Sequence, residues 1–148
     1  MSERPTEADF GYFFEIPTRW SDCDMLGHVN NARYFTFDES ARLDYFAPLI
    51  GNDAAFWRKA GFILARIECD FIAQVHHPAQ IRFGFRLRRI GRSSMNTEGG
   101  MFIDGKLVAV TRGVLVWFDY ENAKAVSVPE HVKAFIRSRE RIAPEEAS

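Results

Sequence analysis

The hydrophobic period of this 148-residue chain changes once along its length, and that change limits what it can fold into. From Asn31 to Phe46, the apolar residues Tyr34, Phe37, Ala41 and Tyr45 recur at spacings of three, four and four, while Arg33, Asp38, Glu39, Arg42 and Asp44 fill other positions. This is the stripe of an amphipathic helix of about four turns. From residue 63 onward the period is two. Ile63, Ala65, Ile67, Cys69 and Phe71 alternate with Arg66, Glu68 and Asp70, and Ile81, Phe83, Phe85 and Leu87 alternate with Arg82, Gly84 and Arg86. Such alternation predicts half-buried antiparallel strands. Asp104-Gly105, between two apolar runs, predicts a hairpin turn. The run after it, Leu107 to Phe118, is apolar on both faces and is expected at the centre of the sheet. One long helix facing several antiparallel strands is an α+β domain.

The flanking segments add detail. Residues 1 to 10 read as a loose polar leader, and Phe13 to Trp20, interrupted by Pro17, as a first strand that is either at a sheet edge or bulged. Asn30 or Asn31 is a ready N-cap for the long helix, which Pro48 and Gly51 are expected to end. Asn52 or Asp53 would cap a second short helix through Ala54, Phe56, Trp57 and Lys59, with Gly61 as its stop. Pro129 begins a terminal helix that packs through Val132, Phe135 and Ile136, and the closing APEEAS is expected to fray. The length suits one domain over residues 1 to 148, with its core between about residues 12 and 138.

Charge and composition exclude several functions. Nineteen basic against 20 acidic residues leave a net charge of -1, so no global field draws the chain to nucleic acid or to an anionic membrane. No apolar run is long enough for a secretory leader or a membrane span. The two cysteines, Cys23 and Cys69, are not needed as a staple at this size, and reduced thiols in a cytoplasmic protein are expected. GGMFIDG lacks the strand-to-helix context of a phosphate loop. His76 and His77 are neighbours that point apart in an extended segment, so they read as turn residues, and no metal is expected.

The polar residues concentrate in RWSDCDMLGHVNNARYF, residues 19 to 35, at the corner between the first strand and the long helix. Taken singly, each has a structural reading: an Asx-turn for one of Asp22 and Asp24, a bend at Gly27, a hydrogen-bonding His28, and caps at Asn30 and Asn31. Their order says more. A helix N-terminus offers unpaired N–H groups and the positive end of a dipole, and here an acid and an imidazole precede it. A carbonyl oxygen aimed at those N–H groups is polarised, and a nearby carboxylate can attack the carbonyl or activate a water. Cys23, flanked by two aspartates, is a poor candidate for a thiolate nucleophile.

The longer run RWSDCDMLGHVNNARYFTFDESARLDYF closely resembles the signature of hotdog-fold acyl-CoA thioesterases of the 4-hydroxybenzoyl-CoA thioesterase-like branch, and IGRSSM resembles that family's second landmark. The resemblance implies a five-stranded antiparallel sheet wrapped around the long helix. It also implies a homodimer with a continuous ten-stranded sheet, or a homotetramer, with active sites at the dimer interface. It assigns the catalytic carboxylate, as nucleophile or general base, to Asp24 and the carbonyl-polarising N–H to Asn31 or its neighbour. Aromatic-substrate members carry aromatic or apolar residues where this chain has His28 and Asn30, and His28 is read from its own chemistry as a helper that orients Asp24 or a water. The G-H-V-N-N form is similar to that of long-chain or broad acyl-CoA thioesterases. Glu39 lies where another hotdog branch places its acid; it ranks second and is expected to pair with a basic neighbour.

Arg82, Arg86, Arg88, Arg89 and Arg92 fall within eleven residues, as either an exposed strand face or a grip for the phosphates of coenzyme A. The family's nucleotide lies near the GRSS turn, which points to Arg92, Ser93 and Ser94, and more loosely to Arg89. No separate cofactor is implied, since coenzyme A is part of the substrate. A non-catalytic acyl-CoA-binding module, a hydratase on the same scaffold, and a thioesterase acting on acyl carrier protein are the rival readings.

Overall fold

Both periodic regions form the elements their spacing predicts. The computed structural model describes residues 3–52 and 54–147. The strands β1 (Phe13–Pro17), β2 (Ala60–Phe71), β3 (Gln80–Ile90), β4 (Ser94–Ile103) and β5 (Lys106–Asp119) form one antiparallel sheet in the order β1-β3-β4-β5-β2. The short β6 (Lys124–Ala125) pairs antiparallel with the end of β5, and β7 (Glu145–Glu146) runs parallel to the end of β3. Helix α1 (Asn31–Asn52) crosses the inner face of this curled sheet, α2 (Ala54–Lys59) leads into β2, and α3 (Glu130–Arg139) follows β6. This is the wrapped-helix arrangement of the hotdog fold.

The core lies between α1 and the sheet. Ile81, Phe83, Phe85 and Leu87 of β3, Met95 and Met101 of β4, and Leu115 and Trp117 of β5 meet Tyr34, Phe37, Ala41, Tyr45 and Phe46 of α1, all fully or nearly buried. Each large apolar side chain so placed contributes about 1.5–3 kcal/mol. Val132 and Ile136 of α3 close one end. The hairpin turn at Asp104 and Gly105 has φ of 51° and 78°, the doubly positive geometry that an Asp-Gly pair tolerates.

Several expectations are corrected. The described part of the leader is not loose: Phe10 is completely buried on the outer face of the sheet, over Gly84 and Gly100, where a Cβ would come within 2.6 and 2.9 Å of aromatic ring carbons. The described closing residues, up to Ala147, do not fray, because Ala147 N–H donates to the Ile90 carbonyl at 3.0 Å and Arg137 pairs with Glu146 at 2.5 Å. Nor does Pro48 stop α1, which runs on to Asn52. The missing N–H costs about 3 kcal/mol, and Leu49 and Ile50, packed against the core beyond it, offset much of that. The predicted cap of the second helix, Asn52 or Asp53, rests on side chains that lie outside the described residues. Gly61 is a strand residue; a Cβ there would stand 2.7 Å from the Tyr120 hydroxyl and 2.8 Å from the Trp57 ring. The first strand is shorter than expected, ending at Pro17.

Two corrections concern the sheet. The centre is β4, with β5 next to the edge. In β2 a bulge between Leu64 and Arg66 breaks the alternation, so Phe62 and Leu64 face inward before it and Ile67, Cys69 and Phe71 after it. Ile63 is 37% exposed on this edge strand, and Phe71, although it meets the Tyr34 ring, is 49% exposed.

Candidate active site

The corner is built by backbone pairing on both sides of a tight loop. Asp24 N–H donates to the His28 carbonyl at 2.9 Å, Gly27 N–H to the Asp24 carbonyl at 3.1 Å, and Val29 N–H to the Val75 carbonyl at 2.8 Å. Gly27, with φ of 79°, supplies the left-handed step that closes the loop. The two aspartates take different roles. Asp22 is fully buried, and its Oδ2 accepts the Arg19 N–H at 2.8 Å while its Oδ1 meets the Arg19 guanidinium at 3.0 Å. Burial works to raise the pKa of this carboxyl, but the Arg19 hydrogen bonds and the charges of Arg19 and Arg33 together hold it below the ordinary carboxylate range. Its carbonyl accepts the Asn30 N–H at 2.8 Å, which fastens the loop to the start of α1. Asp22 is therefore structural.

Asp24 is exposed, and its Oδ1 accepts the Leu26 N–H at 2.9 Å in an Asx-turn. That contact fixes the carboxylate while leaving Oδ2 without a protein partner among the described residues. Asn30 is the cap of α1, its Oδ1 accepting the Ala32 N–H at 2.9 Å. The Asn31 N–H has no acceptor among the described residues, so it stands open at the positive end of a 22-residue helix. Asp24, His28, Asn31, Tyr34, Phe71 and Val75 share the wall of an open cavity of about 390 Å³. An acid, an imidazole and a free backbone donor thus meet in one place, a set suited to adding a nucleophile to a carbonyl.

His76 is part of this corner, not a bystander in a turn. Its ring lies edge-on to His28, with centroids 4.6 Å apart, and the two residues form a β-bridge. His77 turns the other way, its Nδ1 2.9 Å from the Thr18 hydroxyl. Nothing in local spacing pairs His28 with His76, because the contact is made by the segment after β2 folding back. A second unanticipated group is Asp38, fully buried against the sheet. Its position four residues after Tyr34 was the available signal, since i and i+4 share a helix face. Burial pushes its pKa up, opposed by the Thr111 hydroxyl and by Arg42, which it meets at 2.7 Å.

The other predicted residues lie elsewhere. Arg92, Ser93 and Ser94 form the β3–β4 turn, held by Val128 N–H to the Arg92 carbonyl at 2.8 Å and Trp117 N–H to the Ser93 carbonyl at 2.7 Å. The corner abuts the opposite end of the sheet, where Phe71 pairs with Ala109 and Ala109 with Met101, opposite Phe83. From Phe83 to Arg92 the strand spans about 30 Å at ~3.3 Å per residue. One protomer therefore does not bring the GRSS turn to Asp24. Arg89 lines an outer-face recess with Arg66 and Arg112. Arg86 is tied to the buried Glu98 at 2.7 Å, and Arg82 to Glu7 and Glu15. Glu39 is exposed and makes no ion pair among the described residues, since the neighbouring Arg42 is taken by Asp38.

Neither cysteine is placed for nucleophilic work. Both are unbonded, and burial pushes the Cys69 thiol up to about 12, with Asp70 and Asp38 adding to it. Among the described residues no group of three His, Cys, Asp or Glu is arranged to hold a metal ion, and no helix is long and apolar enough to cross a membrane.

Residues 18–136 match the family model of the thioesterase-like superfamily. The YsmA protein of Bacillus subtilis (strain 168) is 28% identical over 128 residues, 86% of either chain. The PA5185 protein of Pseudomonas aeruginosa strain PAO1 superposes with a TM-score of 0.80 at 28% identity, covering 93% of this chain and 97% of that one. A thioesterase of Thermus thermophilus, crystallised with coenzyme A and zinc, superposes with a TM-score of 0.77 at 30% identity, covering 89% of this chain and 96% of its own.

Proposed function

Since the chain belongs to the thioesterase-like superfamily and is a thioester hydrolase, we propose that its substrate is an acyl-CoA, cleaved at the corner between β1 and α1. The observation that carries this reading is the Asp24 carboxylate and the open Asn31 N–H on the wall of one cavity. The thioester oxygen accepts a hydrogen bond from the Asn31 N–H, where the helix dipole favours the negative charge that grows on it. Asp24 takes a proton from a water whose oxygen adds to the carbonyl carbon, or adds there itself to give an anhydride that water then cleaves. In either route the C–S bond breaks, the sulfur leaves as thiolate and takes up a proton, and a carboxylic acid is released. His28 orients Asp24 or the attacking water.

The nucleotide grip comes from a second copy in this reading. On its outer edge β2 has no partner among the described residues, and it carries the exposed Ile63, Leu64 and Phe71. An antiparallel two-fold pairing along that edge reverses the strand, so that one protomer's β3–β4 turn comes to the other's corner. Arg92, Ser93 and Ser94 would then face the phosphates of a coenzyme A whose thioester lies at the partner's copy of Asp24. The coenzyme A held by the Thermus relative supports this substrate class. Exposed Trp20, Met25 and Leu26 at the corner also gain cover from such an assembly.

The test is thiol release from acetyl-, octanoyl-, palmitoyl- and benzoyl-CoA by the wild type and by Asp24→Asn. The variant is expected to lose about 10²–10⁴-fold in kcat with its fold intact. Near-normal turnover in Asp24→Asn would overturn the role of Asp24. Tight acyl-CoA binding without product in the wild type would make the protein a binding module.

A further inference from the structure

At the far end of α1 from the corner, the crevice between the helix and β2 opens into a second cavity of about 290 Å³. Its wall is Phe46 and Ile50 of α1, Trp57 of α2, Phe62 of β2 and Leu115 of β5. The aromatic rings form a continuous set, with centroids of Phe46 and Phe62 4.4 Å apart, Trp57 and Phe62 5.1 Å, and Trp57 and Trp117 5.3 Å. Tyr120 closes one side, its hydroxyl donating to the Phe62 carbonyl at 3.0 Å. Gly61 is what lets Trp57 and Tyr120 close in, as any Cβ there would strike both. Charged groups are confined to the mouth, where Arg42 is held by Asp38 and the exposed Glu39 makes no ion pair among the described residues. A recess lined by Phe35, Leu64 and Ile67 shares Glu39, Arg42 and Leu64 with the cavity and continues it back along the helix.

A well-packed interior leaves few voids of this size, and an apolar one within reach of a bound thioester is a place for an apolar group. We infer that this cavity is the acyl pocket, that it takes an uncharged aliphatic chain of medium length or more, and that it serves the partner's corner. The inference rests on the acyl-CoA reading and its two-fold pairing. Within one protomer, Asn31 and Phe46 are separated by about 22 Å of helix at ~1.5 Å per residue, so a short acyl group at the corner does not reach the cavity. Reversal of β2 in the pair brings the partner's Asn31 toward the Leu64 mouth instead. The free Glu39 carboxylate at that mouth disfavours acyl groups that end in a carboxylate, and the wall beyond is made of carbon surfaces that suit an aliphatic chain.

Two variants outside the catalytic corner test the assignment. Leu43→Trp, at a half-exposed position on the rim, plugs the mouth, and Ile50→Ala enlarges the interior. Leu43→Trp is expected to lower kcat/KM for octanoyl- and palmitoyl-CoA by about tenfold or more while acetyl-CoA changes less than about twofold, and Ile50→Ala to shift preference toward the longer chain. An equal effect on all three substrates overturns the assignment. A second readout does not depend on turnover. Two of the three tryptophans, Trp57 and Trp117, belong to this aromatic set. Titrating Asp24→Asn with the thioether S-decyl-CoA should therefore change tryptophan emission in a way that S-methyl-CoA does not, and Leu43→Trp in the same background should weaken decyl binding. Identical responses to the two thioethers would reject the pocket. Turnover failing while the decyl response persists would instead reject hydrolysis and retain the pocket.

Discussion

The Thr111 hydroxyl donates to Asp38 Oδ1 at 2.7 Å, joining the middle of α1 to the inner face of β5 through a fully buried carboxylate. The other oxygen of Asp38 meets Arg42 at 2.7 Å. Removing one member of such a set leaves the others desolvated and unpaired. Asp38→Ala is expected to cost about 3–5 kcal/mol in urea unfolding, and Thr111→Val about 1–3 kcal/mol. Equal and negligible effects from both would mean that the pair closes no better than solvent does.

A second buried carboxylate makes stability depend on pH. Glu140 Oε2 accepts the Tyr45 hydroxyl at 2.6 Å and the Leu87 N–H at 3.3 Å. Burial raises its pKa above the usual carboxylate value, outweighing the lowering by Tyr45, Leu87, Arg86 and Arg139. A raised folded-state pKa contributes stability below the unfolded value, about 4.3 for Glu, and that contribution is lost as pH rises through the folded value. Glu140→Gln cannot ionise, so its stability relative to wild type should improve as pH is raised through this window. Parallel pH curves for the two proteins would show that ionisation of Glu140 is not opposed by the fold.

The N-terminal segment is a structural element by the same measure. Phe10 fills a notch left by Gly84 and Gly100, edge-on to Phe13 and Phe102 at centroid distances of 5.9 and 6.1 Å. Phe10→Ala should destabilise the fold by about 3–5 kcal/mol. A melting temperature equal to wild type would indicate that the outer face needs no cover there.

His76 is predicted to position His28. His76→Ala removes the ring that packs on it, and should lower kcat by about tenfold with little change in KM. His76→Phe preserves an edge-on ring and should recover most of the loss. Failure of the phenylalanine to rescue would assign His76 a direct chemical role instead.

The two hydrophobic periods, the Asp-Gly hairpin and the N-cap at Asn30 were legible because each depends on residues within a turn or two of one another. The clustering of Asp24, His28 and Asn31 was legible for the same reason, since a strand-to-helix corner keeps near neighbours together. Long-range packing set everything else. Burial of Phe10 and of Asp38, the contact of His76 with His28, and the continuation of α1 through Pro48 depend on surfaces supplied from dozens of residues away. The bulge in β2 reverses which side chains face the helix, a shift that alternation alone cannot carry. The separation of the GRSS turn from Asp24 follows from strand order, which local propensity does not encode, because it is set by which edges pair and which faces α1 covers.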